Sequence, residues 1–169
     1  MNTIENIEEQ IRSAICSIPS QLSTGIGNRA WTKAIFKSLA DLGVKLKYEI
    51  CSSSSDGEFD GGWLYDVIWY ENDANGQLKS VPLIVESEWH RRYDQIKYDF
   101  EKLLVGRAKY KVMIFQASGE QMLEYFKKMK SGIEAFQSAS AGEIYLLACF
   151  DETRWVFDIQ TIKIEKSAG

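Results

Sequence analysis

A single histidine, His90, serves the whole chain, which excludes catalysis by a histidine pair and a histidine-rich zinc site. Cysteine is equally sparse. Cys16, Cys51 and Cys149 are odd in number, far apart and not in any zinc-type pair, so they read as buried or half-buried free thiols in a reducing cytoplasm. No run of 18 apolar residues occurs, which excludes a membrane-spanning helix. The first residues, 1–13, are acidic and polar, the opposite of a secretory leader. Basic excess is missing too: the formal net charge is −4, which argues against a broad, non-specific footprint on phosphate. There is no G-x-S-x-G elbow. The Gly25-Ile26-Gly27 pair lacks the preceding strand and third glycine of a nucleotide loop, and reads as the start of a helix. Neither a repeat nor a long linker divides the 169 residues, so one domain is expected over 1–169.

What is present is an ordinary globular balance, 45% hydrophobic and 26% charged, enough to bury a real core. Ile4, Ile7, Ile11 and Ile15 recur at helical spacing over 4–17. Trp31, Ile35, Leu39 and Leu42 do the same after Gly27-Asn28, with Gly43 as the stop. Strand-like runs follow at Val44–Cys51, Trp63–Glu71 and Leu78–Trp89. The Ser-rich passage from Cys51, closed by Asp60-Gly61-Gly62, separates the first two. Asn75-Gly76 joins the last two as a hairpin. Pro82 implies an irregular start to the third strand. A helix from Arg92 to Gly106, a strand at Lys111–Phe115, a helix over 120–136 and strands at Ile144–Phe150 and Trp155–Ile159 complete the order ααβββαβαββ. That order indicates an α/β fold, a mixed central sheet flanked by helices on both faces.

The third strand has apolar residues on both faces before it reaches Glu86, which marks it as an interior strand. Alternation places Glu86 and Glu88 on one face about 7 Å apart, and the hairpin brings Asp66 alongside. Carboxylates gathered at the end of an interior strand lose water and repel one another, so they need protons or a cation. Hard oxygen ligands in an incomplete cage suit Mg²⁺ or Mn²⁺. The competing reading is that these acids emerge into solvent or pair with Arg91 and Arg92. Trp63, Tyr65 and Trp69 are expected on the face opposite Asp66, as core beneath a helix.

The run from Gly62 through Asp66, the hairpin, Val85-Glu86-Ser87-Glu88-Trp89, and a helix carrying Asp99 and Lys102 resembles the PD-(D/E)XK, restriction-endonuclease-like superfamily. The similarity covers about residues 27–116, the αβββαβ core of that fold. It implies a metal-dependent nuclease hydrolysing phosphodiester bonds, with Asp66 and Glu86 as metal ligands. Glu88 stands where the superfamily usually has its lysine, so it would ligate the metal or accept a proton from water. A migrated lysine is then expected from the following helix. Lys97, about 70° from the mean of the apolar stripe, is better placed than Lys102, about 150° away. No acid opens the first core helix at Asn28, unlike many members. Lys79, Arg91 and Arg92 are the candidate phosphate contacts, though each taken alone reads first as a solvated surface residue. The implied partner is nucleic acid, DNA ahead of RNA, with a homodimer or partner protein needed for strong specificity. The alternative is a catalytically inactive nuclease-fold protein serving as a binding or interaction module.

Overall fold

The computed structural model describes residues 6–53 and 61–165. Ile4 and the loop expected over 54–60 lie outside them. The elements are α1 (Ile7–Cys16), α2 (Asn28–Lys45), β1 (Glu49–Ser52), β2 (Val67–Asn72), β3 (Leu78–Glu88), α3 (Tyr93–Val105), β4 (Tyr110–Gln116), α4 (Gly119–Ala135), β5 (Ile144–Asp151) and β6 (Val156–Lys163), with a short 3₁₀ turn at Ile18–Ser20. The order follows the sequence pattern. None of these helices is long and apolar enough to cross a membrane.

The strands form one open mixed sheet in the order β1-β2-β3-β4-β5-β6. β2 runs antiparallel to its neighbours β1 and β3; β3, β4 and β5 run parallel, and β6 returns antiparallel. Crossovers through α3 and α4 make the parallel pairs possible. Because side chains alternate, each interior strand feeds two cores. Val67, Trp69, Leu83, Val85, Val112, Ile114, Leu146 and Ala148 meet Ile11, Ile15, Ile35, Phe36 and Leu39 of α1 and α2 on one face. Ile68, Ile84, Met113, Phe115, Tyr145 and Leu147 meet Ile96, Phe100, Leu103, Phe126 and Met129 of α3 and α4 on the other. Continuous burial along β4 and β5 is what a doubly covered parallel pair requires.

Two local departures have clear causes. α2 does not stop at Gly43 but runs to Lys45, which shortens the expected Val44–Cys51 strand to Glu49–Ser52. A Cβ at Gly43 would meet Ile50 and the Trp69 indole, so this glycine serves a close helix–sheet approach. The Trp69 indole N–H donates to the Leu39 carbonyl at 3.0 Å across the same contact. The helix ends two residues later in a Schellman arrangement: the Tyr48 N–H donates to the Gly43 carbonyl and the Lys47 N–H to Val44, both at 2.9 Å. Lys47 accordingly takes φ +68°. In β3, the pairing jumps from Trp69↔Leu83 to Glu71↔Ser80, leaving Pro82 in the gap, the irregularity its missing N–H implies.

The hairpin forms as expected. Gly76 has φ +75°, and Asp73 Oδ1 accepts from the Asn75 and Gln77 amides at 2.8 and 2.9 Å. None of the three cysteines is in a disulfide, but Cys16 is exposed, unlike the buried Cys51 and Cys149. It follows the buried Ile15 on α1 and so turns away from the sheet.

Candidate functional site

β3 lies between β2 and β4, and Glu86 sits two residues before its end on the face covered by α3. Only 2% of Glu86 is exposed. Its Oε2 accepts from Lys102 Nζ at 2.7 Å. Among the described residues its Oε1 is buried without a hydrogen-bond partner, an uncommon state for a carboxylate oxygen. Burial, with the nearby Asp66 charge, pushes the Glu86 carboxyl up to about 7 despite the Lys102 hydrogen bond. Without a cation, this group is therefore a half-protonated acid near neutral pH.

Asp66 lies one residue before β2, not inside the strand expected from Trp63. Its backbone is nevertheless held on both sides. Its N–H donates to the Val85 carbonyl at 3.0 Å, and its carbonyl accepts from the Ser53 N–H at 2.9 Å. The carboxylate is fixed through Oδ2, which accepts from the Ser87 N–H at 2.9 Å and the Ser87 hydroxyl at 3.2 Å. Burial raises its pKa, and the Ser87 hydrogen bonds only partly offset this.

The lysine on the cluster is Lys102. It reaches Glu86 while a second ion pair, to Asp99 at 2.9 Å, draws it toward the sheet. Burial alone would lower its pKa, but Glu86 and Asp99 together raise it above the ordinary lysine range. Lys97, the lysine favoured by the helical wheel, is paired with Glu101 at 3.2 Å and half exposed. The wheel measures angular distance from the apolar stripe but not which flank faces the carboxylates. Lys97 and Lys102 lie on opposite flanks, and Asp99 on the Lys102 side supplies the bridge. The Asp99–Lys102 spacing of i, i+3 was the available signal. Tyr65 locks the same flank, its hydroxyl donating to the Lys102 carbonyl at 3.2 Å.

Glu88 shares the Glu86 face by alternation, but its Oε1 turns back to accept from the His90 amide at 2.7 Å. Among the described residues, no three His, Cys, Asp or Glu side chains gather closely enough to hold a metal as they stand. Asp66, just before β2, and Glu86, near the end of β3, are close enough for the Asp66 charge to raise the Glu86 carboxyl, and Asp99 pairs with Lys102. The hard oxygens of Asp66 and Glu86, one of them orphaned, fit Mg²⁺ or Mn²⁺ better than a thiophilic metal.

The remaining candidates are spread out. Arg91 pairs with Glu152 at 2.8 Å and Arg92 with Asp94 at 2.6 Å, all on the surface. Lys79 is exposed near the opposite end of β3, roughly 23 Å of strand from Glu86. The expected aromatic face opposite Asp66 reduces to Trp69. Trp63 is half exposed and meets Tyr70 edge-on at 6.2 Å, and Tyr65 packs on the α3 side. The cause is the late start of β2: residues before Val67 do not alternate as a strand. Compared with family models, curated proteins and solved structures, the chain matches none.

Proposed function

We propose that the chain is a metal-dependent nuclease of the restriction-endonuclease-like kind, with Asp66 and Glu86 as the ligands of Mg²⁺ or Mn²⁺ and Lys102 as its lysine. The observation that carries this reading is Glu86: a buried carboxylate with one orphaned oxygen, raised in pKa, beside a second raised carboxylate and a lysine. Such an arrangement is unfavourable as a purely structural pair, and perturbed acids of this sort cluster at functional sites.

When bound, a divalent ion would polarise the scissile phosphate and acidify its water. Ser87 holds the Asp66 carboxylate in one orientation. Burial keeps Glu86 dry, so a cation is attracted strongly there. Lys102, released from Glu86 Oε2, offers its ammonium to a non-bridging phosphate oxygen. Glu88, nearer the strand end, swings from the His90 amide to accept a proton or complete the ligand set. Arg91 and Arg92 lie beyond the same strand end for flanking phosphates, with DNA ahead of RNA as substrate and a second copy or partner protein supplying specificity.

The test is cleavage of single- and double-stranded DNA and RNA with and without Mn²⁺, in the intact chain and in Asp66→Ala, Glu86→Ala and Lys102→Ala. Cleavage that needs Mn²⁺ and all three residues is expected; Mn²⁺-dependent cleavage undiminished in Glu86→Ala would refute the assignment. One observation favours the inactive, binding-module reading: Lys102 already compensates the Glu86 carboxylate through Oε2, as a cation would.

A further inference from the structure

On the other face of the sheet, beyond the carboxyl ends of the parallel strands β3, β4 and β5, lies a cavity of about 160 Å³. Crevices at this end of a parallel sheet are where α/β proteins place ligands. Its walls include Trp31, Trp89, Phe150 and Trp155, with Gln116 and Glu152 at the polar side. The rings are steeply inclined to one another. Trp31 meets Trp155 at 5.3 Å and 71°, Trp89 at 6.3 Å and 52°, and Phe150 at 4.3 Å and 42°. Phe150 meets Trp155 at 77°. Among the described residues, Trp89 and Trp155 each pack on Trp31 but show no ring contact with each other. The result is a box with Trp31 at the back and Trp89 and Trp155 as separated sides, not a slot of parallel walls.

The two outer rings are fixed by their surroundings. The Trp89 indole N–H donates to Thr32 Oγ1 at 2.8 Å and the Trp155 indole N–H to the Pro19 carbonyl at 2.9 Å. Gln116 donates to the Trp89 carbonyl. Trp155 itself has φ +57°, a conformation that is unfavourable for a bulky L residue. The turn that imposes it is pinned by the buried Asp151, which accepts from the Thr153 amide at 2.9 Å and from Arg154 Nε at 2.7 Å. Backbone strain at a fixed aromatic side chain is a mark of a site more than of a surface turn.

We propose that this box binds an N-methylated ammonium group, a quaternary or trimethylated cation. Inclined aromatic faces surround a rounded cation as they cannot a flat heterocycle, and their quadrupoles attract it. Glu152 supplies a carboxylate on the wall. Its present partner, Arg91, is bound at 2.8 Å with both side chains about half exposed, 51% and 49%, a weak, displaceable pair. The volume is of headgroup size, below the roughly 300 Å³ at which pockets for drug-sized ligands begin. The assignment is independent of the carboxylate cluster on the opposite face.

Tryptophan fluorescence of the intact chain, titrated with tetramethylammonium, choline, trimethyllysine and the uncharged dimethylbutanol isostere of choline, tests the proposal. Saturable changes are expected for the cations and none for the isostere, and the tighter of choline and trimethyllysine identifies the source of the headgroup. Trp155→Ala should weaken binding by about tenfold. Should that variant fail to fold, the surface change Glu152→Gln should still weaken binding severalfold, and Arg91→Ala should strengthen it. Absence of a saturable response to every cation, or equal binding of the isostere, would overturn the proposal.

Discussion

Lys102 Nζ lies 2.7 Å from Glu86 Oε2, joining the last turn of α3 to the end of β3. Glu86 is buried and Lys102 is 40% exposed, so the contact links a desolvated carboxylate to a lysine that still reaches water. Removing the lysine leaves the acid without its ion-pair partner. Lys102→Ala should therefore destabilise the chain by about 1–2 kcal/mol at pH 8, the figure for a buried pair reduced for the exposed partner. Lys97→Ala should stay within about 0.5 kcal/mol, as exposed substitutions do. Urea unfolding of the two variants separates these outcomes, and equal losses would show that Lys102 is not the specific partner.

Glu86 carries a pH signature. Its pKa is about 7 in the folded chain against 4.5 ordinarily, so between these values the folded state binds more protons than the unfolded one. Stability contributed by this group falls as pH rises from about 4.5 to 7 and levels off above, a change on the order of 3 kcal/mol. Glu86→Gln removes the titration. Its melting temperature relative to the parent should climb by several degrees between pH 5 and pH 8. Parallel melting curves across that range would mean that the carboxyl is not raised.

The α2–β1 junction makes two opposite predictions. Lys47→Gly should stabilise the chain by about 0.5–1 kcal/mol, because glycine adopts the left-handed conformation at φ +68° without strain. Gly43→Ala should destabilise it by about 1–3 kcal/mol, because the new methyl meets Ile50 and Trp69. Thermal melts of both variants check the pair. Stabilisation by Gly43→Ala would contradict the close approach described here.

The element order was legible because patterning is a local signal: the spacing of Ile96, Phe100 and Leu103 on α3, or the unbroken apolar run of Leu83, Ile84 and Val85 on β3, states their environment in the chain itself. Glu86 was legible for the same reason, as an acid ending a doubly apolar run. Three things were not. Gly43 looks like a helix stop unless the Trp69 indole across the core is known. Trp63 and Tyr65 look like strand residues unless the late start of β2 is known. Lys102 looks outward on a wheel, and only the position of the Glu86 end of β3 beside that flank makes it the contacting lysine. Each depends on a partner distant in sequence, which neither propensity nor spacing encodes.

Arg91 offers a surface control. Its bridge to Glu152 is half exposed on both sides, so Arg91→Ala should change stability by less than about 1 kcal/mol. If Arg91 contacts phosphate, the same variant should reduce the salt dependence of DNA binding by about one unit of log–log slope. Gel-shift titrations at several salt concentrations measure this. An unchanged slope removes Arg91 from the interface.

The central claim, that Asp66 and Glu86 hold a divalent ion, is tested most directly by calorimetric titration of the intact chain with Mn²⁺ near pH 7. The account predicts one site per chain, lost in Glu86→Ala, with a heat that varies with the buffer because the raised Glu86 carboxyl gives up its proton as the ion enters. No saturable heat in any buffer, or binding unaltered in Glu86→Ala, would contradict it.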